Sequence, residues 1–196
     1  MSERDSTAGR DVPGSGGATS GDTPGGSSIS TPRGDQARVS VAVAVPPNVA
    51  FEIFTNEIDR WWRRGPQFRH FGQRGGFIRL EPGVGGRLFE SIDGDEGERV
   101  YEVGRVRVWE PPSHVMFTWG NATFAANQAT EVDVIFVPTA KGTLVTVTHR
   151  GWTTIPADHP VRHGLPTAAF IRSMGLWWGD LMTSMRELSE QQQARQ

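Results

Sequence analysis

The 196-residue sequence contains no cysteine. Disulfide bonds, cysteine nucleophiles and thiolate metal sites are therefore excluded, while an oxidising compartment is neither required nor ruled out. No run approaches the roughly 18 apolar residues that a membrane span needs, and the first residues lack the basic and then apolar pattern of a secretory signal. These absences favour a cytoplasmic protein with no membrane partner.

The sequence also has little excess charge of either sign, with a formal net charge of −2. Residues 1–36 contain three arginines and five acidic residues, so this stretch accounts for the whole imbalance and the remainder is neutral. Nucleic-acid-binding domains normally carry a clear basic excess. The charge balance therefore predicts no nucleic-acid partner.

Apolar residues are scarce in residues 1–36, where Gly, Ser, Thr, Pro and Asp dominate. Such a segment buries too little apolar surface to offset the entropy cost of ordering it, which predicts a disordered tail. The remaining residues, 37–193, are enough for one domain with one core. We find no internal repeat and no sign of a second domain.

The predicted domain begins with an alternating pattern. Val39, Val41, Val43 and Val45 recur at every second position, which predicts a strand with one strongly apolar face. Two prolines and an asparagine then end this strand. The apolar spacing over Val49–Ile58 predicts a short helix.

The rest of the domain is a series of apolar stretches separated by glycine- and proline-rich turns. This spacing is typical of an antiparallel meander. Strands are predicted near residues 76–81, 86–92, 98–109, 113–119, 129–137 and 142–149. Residues 167–193 lack proline and carry one broad apolar face, which predicts a long amphipathic helix lying on the sheet.

This order of elements predicts an α+β helix-grip fold, in which a curved antiparallel sheet of about six to seven strands wraps a long C-terminal helix and short helices follow the first strand. Four stretches also resemble a known family, the SRPBCC (START-like) superfamily in its branch of activator of heat-shock-protein-90 ATPase homologues. They are Val84–Glu90 (VGGRLFE), Gly104–Pro112 (GRVRVWEPP), Val115–Trp119 (VMFTW) and Gly142–Trp152 (GTLVTVTHRGW). The resemblance covers residues 38–190 and implies a deep cavity between sheet and helix that holds apolar ligands.

Residues two apart on a strand share a face, so parity predicts which side chains enter such a cavity. Val145 and Val147 place His149 on the inner face, and Leu88 does the same for Glu90. A buried carboxylate needs a partner, for which His149, Arg105, Tyr101 or a ligand are the candidates. We expect internal partners for Glu90 rather than a ligand, and His149 alone is more often a core residue.

The many aromatic residues are mostly core, but some are expected at the cavity. Trp177 and Trp178 are about 100° apart on a helix, so only one of them faces the cavity centre. Methionines on the same helix would let the wall adapt to different ligands. The full set of predicted cavity residues is Leu88, Glu90, Arg105, Phe117, Trp119, Phe136, His149, Met174, Trp177 and Met185.

Three other motifs do not predict a binding site once their neighbouring residues are considered. Gly83–Gly86 leads into a strand rather than a helix and is interpreted as a turn, not a phosphate-binding loop. His159 and His163 have a spacing that suits metal binding on a helix, but Pro160 makes their segment a loop, so we predict no metal site and no cofactor. The basic stretch of Arg60, Arg63, Arg64, Arg69 and Arg74 is interpreted as a solvated loop.

Three functions fit these features. Binding of a small apolar molecule is favoured, with Glu90, His149 or Arg105 orienting it. An aromatase/cyclase-like enzyme would need Glu90 and His149 to exchange protons with one carbonyl substrate. The family name suggests a chaperone-ATPase activator, which ranks last because the sequence shows no additional N-terminal domain. A homodimer is left open.

Overall fold

The computed structural model describes residues 28–29, 35–72, 75–120 and 122–195. Eight antiparallel strands form one sheet with the order β1-β2-β8-β7-β6-β5-β4-β3. The strands are β1 (Ser28–Ile29), β2 (Ala37–Val43), β3 (Phe77–Leu80), β4 (Arg87–Gly94), β5 (Gly97–Glu110), β6 (His114–Trp119), β7 (Thr130–Thr139) and β8 (Gly142–Arg150).

The helices are α1 (Pro47–Thr55), α2 (Ile58–Trp61) and α3 (Thr167–Gln193), and two 3-10 turns cover Trp152–Thr154 and Pro160–Arg162. The helix predicted over Val49–Ile58 is therefore two helices, with α1 starting at the proline whose fixed φ suits a first helical position. α3 has the predicted bounds. No helix in the described ranges is long and apolar enough to cross a membrane.

The predicted helix-grip fold is confirmed, because the curved sheet and the long C-terminal helix enclose one main core. The predicted disordered tail lies mostly outside the described residues. Two residues of that tail, Ser28 and Ile29, are described and pair with Ser40 and Val39 of β2. A short strand therefore precedes the first predicted one.

The core forms where the alternating strand faces meet α1 and the second half of α3. Val39, Val41 and Val43 are buried as their period predicted. α1 packs Phe51 and Phe54 onto Phe136 of β7, with ring centroids 5.3 Å and 5.8 Å apart. This end of the space between sheet and helix is filled by the protein's own side chains.

Two bulges in β5 change which side chains face inward. The pairing with β4 skips Val103, and the pairing with β6 skips Arg107. A bulge reverses the parity of every later residue on the strand. Gly104 lies between them, where a Cβ would stand 1.6 Å from the carbonyl oxygen of Thr118, so only glycine fits this close approach.

Candidate functional site

A cavity of about 830 Å³ lies at the end of the helix-sheet space that α1 does not fill. Its walls come from the loop after α2, from β3 to β6, from the segment after β8 and from the start of α3. The lining residues are Trp62, Pro66, Gln67, Phe68, Arg69, His70, Ile78, Glu90, Tyr101, Val103, Trp119, Gly120, Ala122, Trp152, Val161, His163, Leu165, Phe170, Ser173, Met174 and Trp177.

Tryptophan rings form the inner part of this cavity. Trp62 stacks on Trp119 with centroids 5.7 Å apart and planes at 16°, and Trp177 meets both rings edge-on at 5.7 Å. Phe68 stacks on Trp177 at 5.9 Å. These stacked and edge-on contacts join the four rings into one aromatic wall of the cavity.

Arg69 holds the loop that carries Trp62 and Phe68, and this residue is only 4 % exposed. Its guanidinium donates to the Asp59 carboxylate at 2.6 Å and to the carbonyl oxygens of Arg63, Trp62, Gly76 and Asp59 itself. All five N–H groups of the side chain are therefore used. The prediction of a solvated basic loop is wrong for Arg69, because its guanidinium is buried and bonded to carbonyl oxygens of the loop.

Glu90 fixes the same loop from the sheet side. Its carboxylate accepts hydrogen bonds from the backbone N–H groups of His70 at 2.8 Å and Phe71 at 3.1 Å. The prediction that His149 or Arg105 pairs with Glu90 is wrong, because backbone N–H groups of the loop bind the carboxylate. Tyr101 is opposite Glu90 in the sheet, and burial, with Glu90 as a second cause, raises the pKa of its phenol.

Tyr101 also stacks on the His70 ring, with centroids 3.9 Å apart and planes at 12°. Both rings line the cavity, and Tyr101 is half-buried while His70 is exposed. His70 therefore belongs to the cavity mouth, with Gln67 and His163 as further exposed lining residues. A phenol and an imidazole at this position can offer hydrogen bonds to a bound molecule.

The opposite side of the cavity is built by the segment after β8. Trp152 and Phe170 are buried and meet edge-on, with centroids 4.8 Å apart. Arg162, 3 % exposed, donates to the carbonyl oxygens of Trp152 and Ile155 at 2.6 Å and 2.9 Å. These contacts hold the proline-containing segment against the start of α3.

His149 is a core residue and does not line the cavity. Its Nδ1 accepts from the indole N–H of Trp178 at 3.1 Å, and its Nε2 lies 2.7 Å from the Thr130 hydroxyl. Because Nδ1 accepts, Nε2 carries the ring proton and donates to the Thr130 hydroxyl, which in turn donates a hydrogen bond to the carbonyl oxygen of Trp119 at 3.2 Å. Full burial lowers the pKa of His149 to about 3, so the ring is neutral, with both nitrogens bonded.

Of the predicted cavity residues, the structure brings Glu90, Trp119, Met174 and Trp177 together in the wall. As expected from their angular separation, Trp177 faces the cavity while Trp178 lies in the core. The remaining predictions need correction. Leu88, Phe117, Phe136 and Met185 are buried in the packed core and do not line the cavity.

The reasons for these corrections differ. Phe136 is covered by α1, whose two phenylalanines fill the space that would otherwise be open. Arg105 follows the first bulge of β5, so its side chain points to solvent and pairs with Glu102 at 2.8 Å. Because His149 and Glu90 do not share the cavity, they do not form the predicted acid/base pair.

Several wall residues were not predicted, namely Trp62, Phe68, Trp152 and Phe170. Trp62, Phe68 and Trp152 lie in or beside segments without regular periodicity, so no face could be assigned to them, whereas Phe170 lies on the predicted apolar face of α3 and was interpreted as core. The available signal was the density of aromatic residues in glycine- and proline-rich segments. Among the described residues, no cluster of His, Asp or Glu has a geometry that would hold a metal ion.

Comparison with known proteins identifies the fold and the family. The chain is similar to the protein MLL2253 from Mesorhizobium loti at 18% identity and a TM-score of 0.54, covering 80% of this chain and 97% of that one. It is also similar to SA2116 from Staphylococcus aureus, a protein of unknown function, at 13% identity and a TM-score of 0.59, covering 86% and 98%.

No functionally curated protein matches the chain. The family described as "Activator of Hsp90 ATPase homolog 1-like protein" matches residues 44–189. This range begins directly after β2, ends within α3 and includes every lining residue of the cavity. The chain therefore belongs to the family of activator of Hsp90 ATPase homolog 1-like proteins, within the SRPBCC superfamily.

Proposed function

We propose that the protein binds a small hydrophobic ligand in the cavity between the sheet and the first half of α3. The observation that carries this proposal is an 830 Å³ space with seven Phe, Tyr or Trp residues in its wall. Drug-sized ligands occupy cavities of about 300–1,000 Å³ that are mainly apolar with a few polar groups. The size and the lining both match.

The internal hydrogen bonds support binding rather than a structural void. Arg69 and Glu90, the two buried charged residues of the lining, hold the loop that forms one wall. The protein's own hydrogen bonds therefore order this wall, and a ligand gains affinity because the wall is already ordered. Exposed Gln67, His70 and His163 leave a path from solvent.

The test is titration with N-phenyl-1-naphthylamine, a neutral apolar probe that fluoresces when it leaves water. We expect saturable binding at one site per chain. Ser173 lines the mouth on α3, so Ser173→Trp should weaken binding at least about tenfold by filling the entrance. Leu176→Trp is the control, because Leu176 is 56% exposed and does not line the cavity.

Quenching of the native tryptophan fluorescence gives a second readout, because Trp62, Trp119, Trp152 and Trp177 all line the cavity. Saturable binding in the wild type and in Leu176→Trp, with loss in Ser173→Trp, supports the proposal. Non-saturable binding, or equal affinity in all three proteins, would contradict it.

A further inference from the structure

Two charged side chains line the cavity, Arg69 and Glu90, and both are already bonded inside the protein. All five N–H groups of Arg69 donate to the Asp59 carboxylate and to carbonyl oxygens. Glu90 is 2 % exposed, and each of its two carboxylate oxygens accepts a backbone N–H. Arg162, the other buried arginine of the described residues, does not line the cavity. A charged ligand would therefore find no free counter-ion in the wall, and a buried charge without a partner is costly.

The accessible polar side chains of the lining carry no permanent charge. Gln67, His70, Tyr101 and His163 supply an amide, two imidazoles and a phenol. Within the described ranges, none of these four side chains forms a hydrogen bond with the protein. Gln67, His70 and His163 are exposed, so water competes with a ligand for them, whereas Tyr101 is half-buried. A polar contact to the ligand is therefore strongest at Tyr101.

The Tyr101 ring is held in place by its neighbours. It stacks on His70, with centroids 3.9 Å apart and planes at 12°, and it lies opposite Glu90 in the sheet. Burial, with the Glu90 carboxylate as a second cause, raises the pKa of the phenol above 10.0, so the hydroxyl keeps its proton. This hydroxyl is unpaired but is not one of the fully buried polar atoms, so a ligand can reach it. A fixed donor binds an acceptor at a low cost in conformational entropy.

A second unpaired donor lies on the neighbouring strand. Trp119, at the end of β6, lines the cavity, and its indole N–H has no partner in the part of the chain that the structure describes. This N–H is accessible as well. The indole N–H groups of Trp62 and Trp177, in contrast, donate to the carbonyl oxygens of Phe68 and Gln67. An indole N–H only donates, so the free groups of this wall match an acceptor oxygen.

We infer that the ligand is an uncharged molecule with a carbonyl or hydroxyl oxygen that accepts a hydrogen bond from Tyr101, and with an apolar body that contacts the tryptophans. This inference rests on the proposed function and specifies its ligand class. The wall offers a donor to the oxygen and no counter-ion to a charge, so it selects against the corresponding acid and amine. Tyr101 is the residue that determines this specificity.

The experiment compares 2-acetylnaphthalene with 2-isopropenylnaphthalene, which has the same shape but a C=CH2 group in place of the carbonyl. Both compete with N-phenyl-1-naphthylamine at pH 8, in the wild type and in Tyr101→Phe, which removes only the hydroxyl. We expect the inhibition constant of the ketone to rise about three- to tenfold in Tyr101→Phe, the range for one hydrogen bond. The constant of the alkene should change less than about twofold, because the alkene has no oxygen.

Val100→Thr is the matched control, because it also changes a single hydroxyl group, at the residue next to Tyr101. Val100 is exposed on β5 and does not line the cavity. Both inhibition constants should equal those of the wild type. If Tyr101→Phe does not fold, the infrared carbonyl band of the ketone bound to the wild type serves instead. A hydrogen bond should place this band below its frequency in hexane.

The second measurement uses charged ligands and needs no variant. 2-Naphthoate and protonated 2-(aminomethyl)naphthalene carry a negative or a positive charge where the ketone carries its oxygen. Each should bind the wild type at least about tenfold more weakly than 2-acetylnaphthalene, because the carboxylate and the guanidinium of the lining are already bonded.

An equal change of the ketone and alkene constants in Tyr101→Phe, or a carbonyl band at its hexane frequency, would overturn the role of Tyr101. A charged ligand that binds as tightly as the ketone would overturn the uncharged class. These outcomes leave probe binding, and with it the proposed function, intact. Absence of saturable probe binding in the wild type would remove the proposed function and this inference together.

Discussion

Both ends of the space between the sheet and α3 are bounded by the same two layers, but one end is packed with side chains and the other contains the cavity. At one end, Leu181, Met182 and Met185 of α3 are fully buried against the strands and α1. At the other end, Met174 and Trp177 remain partly exposed and line a cavity of about 830 Å³. The difference shows that a helix lying on a sheet does not by itself make a cavity. The cavity forms where rigid rings and an ordered loop replace a covering helix.

The largest expected effect comes from removing the group that orders the loop at the open end. Arg69→Met deletes five hydrogen bonds and leaves Asp59 without its buried partner. We expect the free energy of unfolding to fall by about 3–5 kcal/mol, measured by urea denaturation. Arg64→Met is the control, because Arg64 is exposed and contacts two of the partners of Arg69, namely Asp59 and Gly76. It should lose no more than about 1 kcal/mol.

A small loss in Arg69→Met with intact probe binding would show that the loop does not depend on this guanidinium. In that case the open end would resemble the closed end, with order supplied by ring packing alone.

The second prediction separates the two ends by the same substitution on one helix. Met185→Ala should lower the free energy of unfolding by about 2–5 kcal/mol, because it leaves a void in a fully packed core. Met174→Ala should cost about 1 kcal/mol or less, since one side of this side chain already faces open space. Affinity for the naphthylamine probe should change in Met174→Ala and stay constant in Met185→Ala. The reverse pattern would place the binding site at the closed end.

The third prediction concerns His149, which lies between the two ends and contacts both Trp152 and Trp178. Burial lowers its pKa from 6.5 to about 3, so the unfolded chain binds a proton that the folded chain cannot. The contribution of the neutral His149 ring to the free energy of unfolding is complete above pH 6.5. It is lost as the pH falls toward 3, at up to about 1.4 kcal/mol per pH unit. His149→Gln should have a shallower decline of stability over this window in urea unfolding. Equal slopes for the two proteins would show that His149 is protonated in the fold.

The smallest effect is expected at Tyr101, the sole tyrosine of the sequence. Burial raises the pKa of its phenol above 10.0, with the Glu90 carboxylate as the second cause. Ultraviolet titration should give a single ionisation step with a midpoint above that of the urea-unfolded chain. Glu90→Gln should lower the midpoint by removing the charge. A midpoint equal to that of the unfolded chain would place the phenol in free solvent.

Much of the fold could be predicted because periodicity and turn chemistry are local. Val39, Val41 and Val43 alternate on a strand, and proline-free residues 167–193 form one helix. Inward-facing parity held for Glu90 and His149, both of which are buried. The prediction that Arg105 lies in the cavity is wrong, because a bulge depends on the pairing between two strands and leaves no signal in the period of one.

The cavity was less predictable than the fold. The strands that contribute Phe117 and Phe136 were assigned to the correct layer, yet α1 covers Phe136 and turns a predicted lining residue into core. Arg69 appeared as one basic residue among five in a loop. Its burial depends on Asp59 and on backbone carbonyls from both sides of the loop, which become neighbours only in the folded chain.

The sequence by itself determined the element order, the charge balance, the absence of thiol chemistry and the inner faces of the strands without bulges, because each depends on near neighbours in the chain. The tertiary structure alone decided which end of the helix-sheet space stays open and which buried charges find partners. Those outcomes depend on contacts between distant segments, such as Glu90 with the backbone of His70, and Arg162 with Trp152. Hydrogen-bond satisfaction is a property of three-dimensional placement, and residue type supplies only the donors and acceptors.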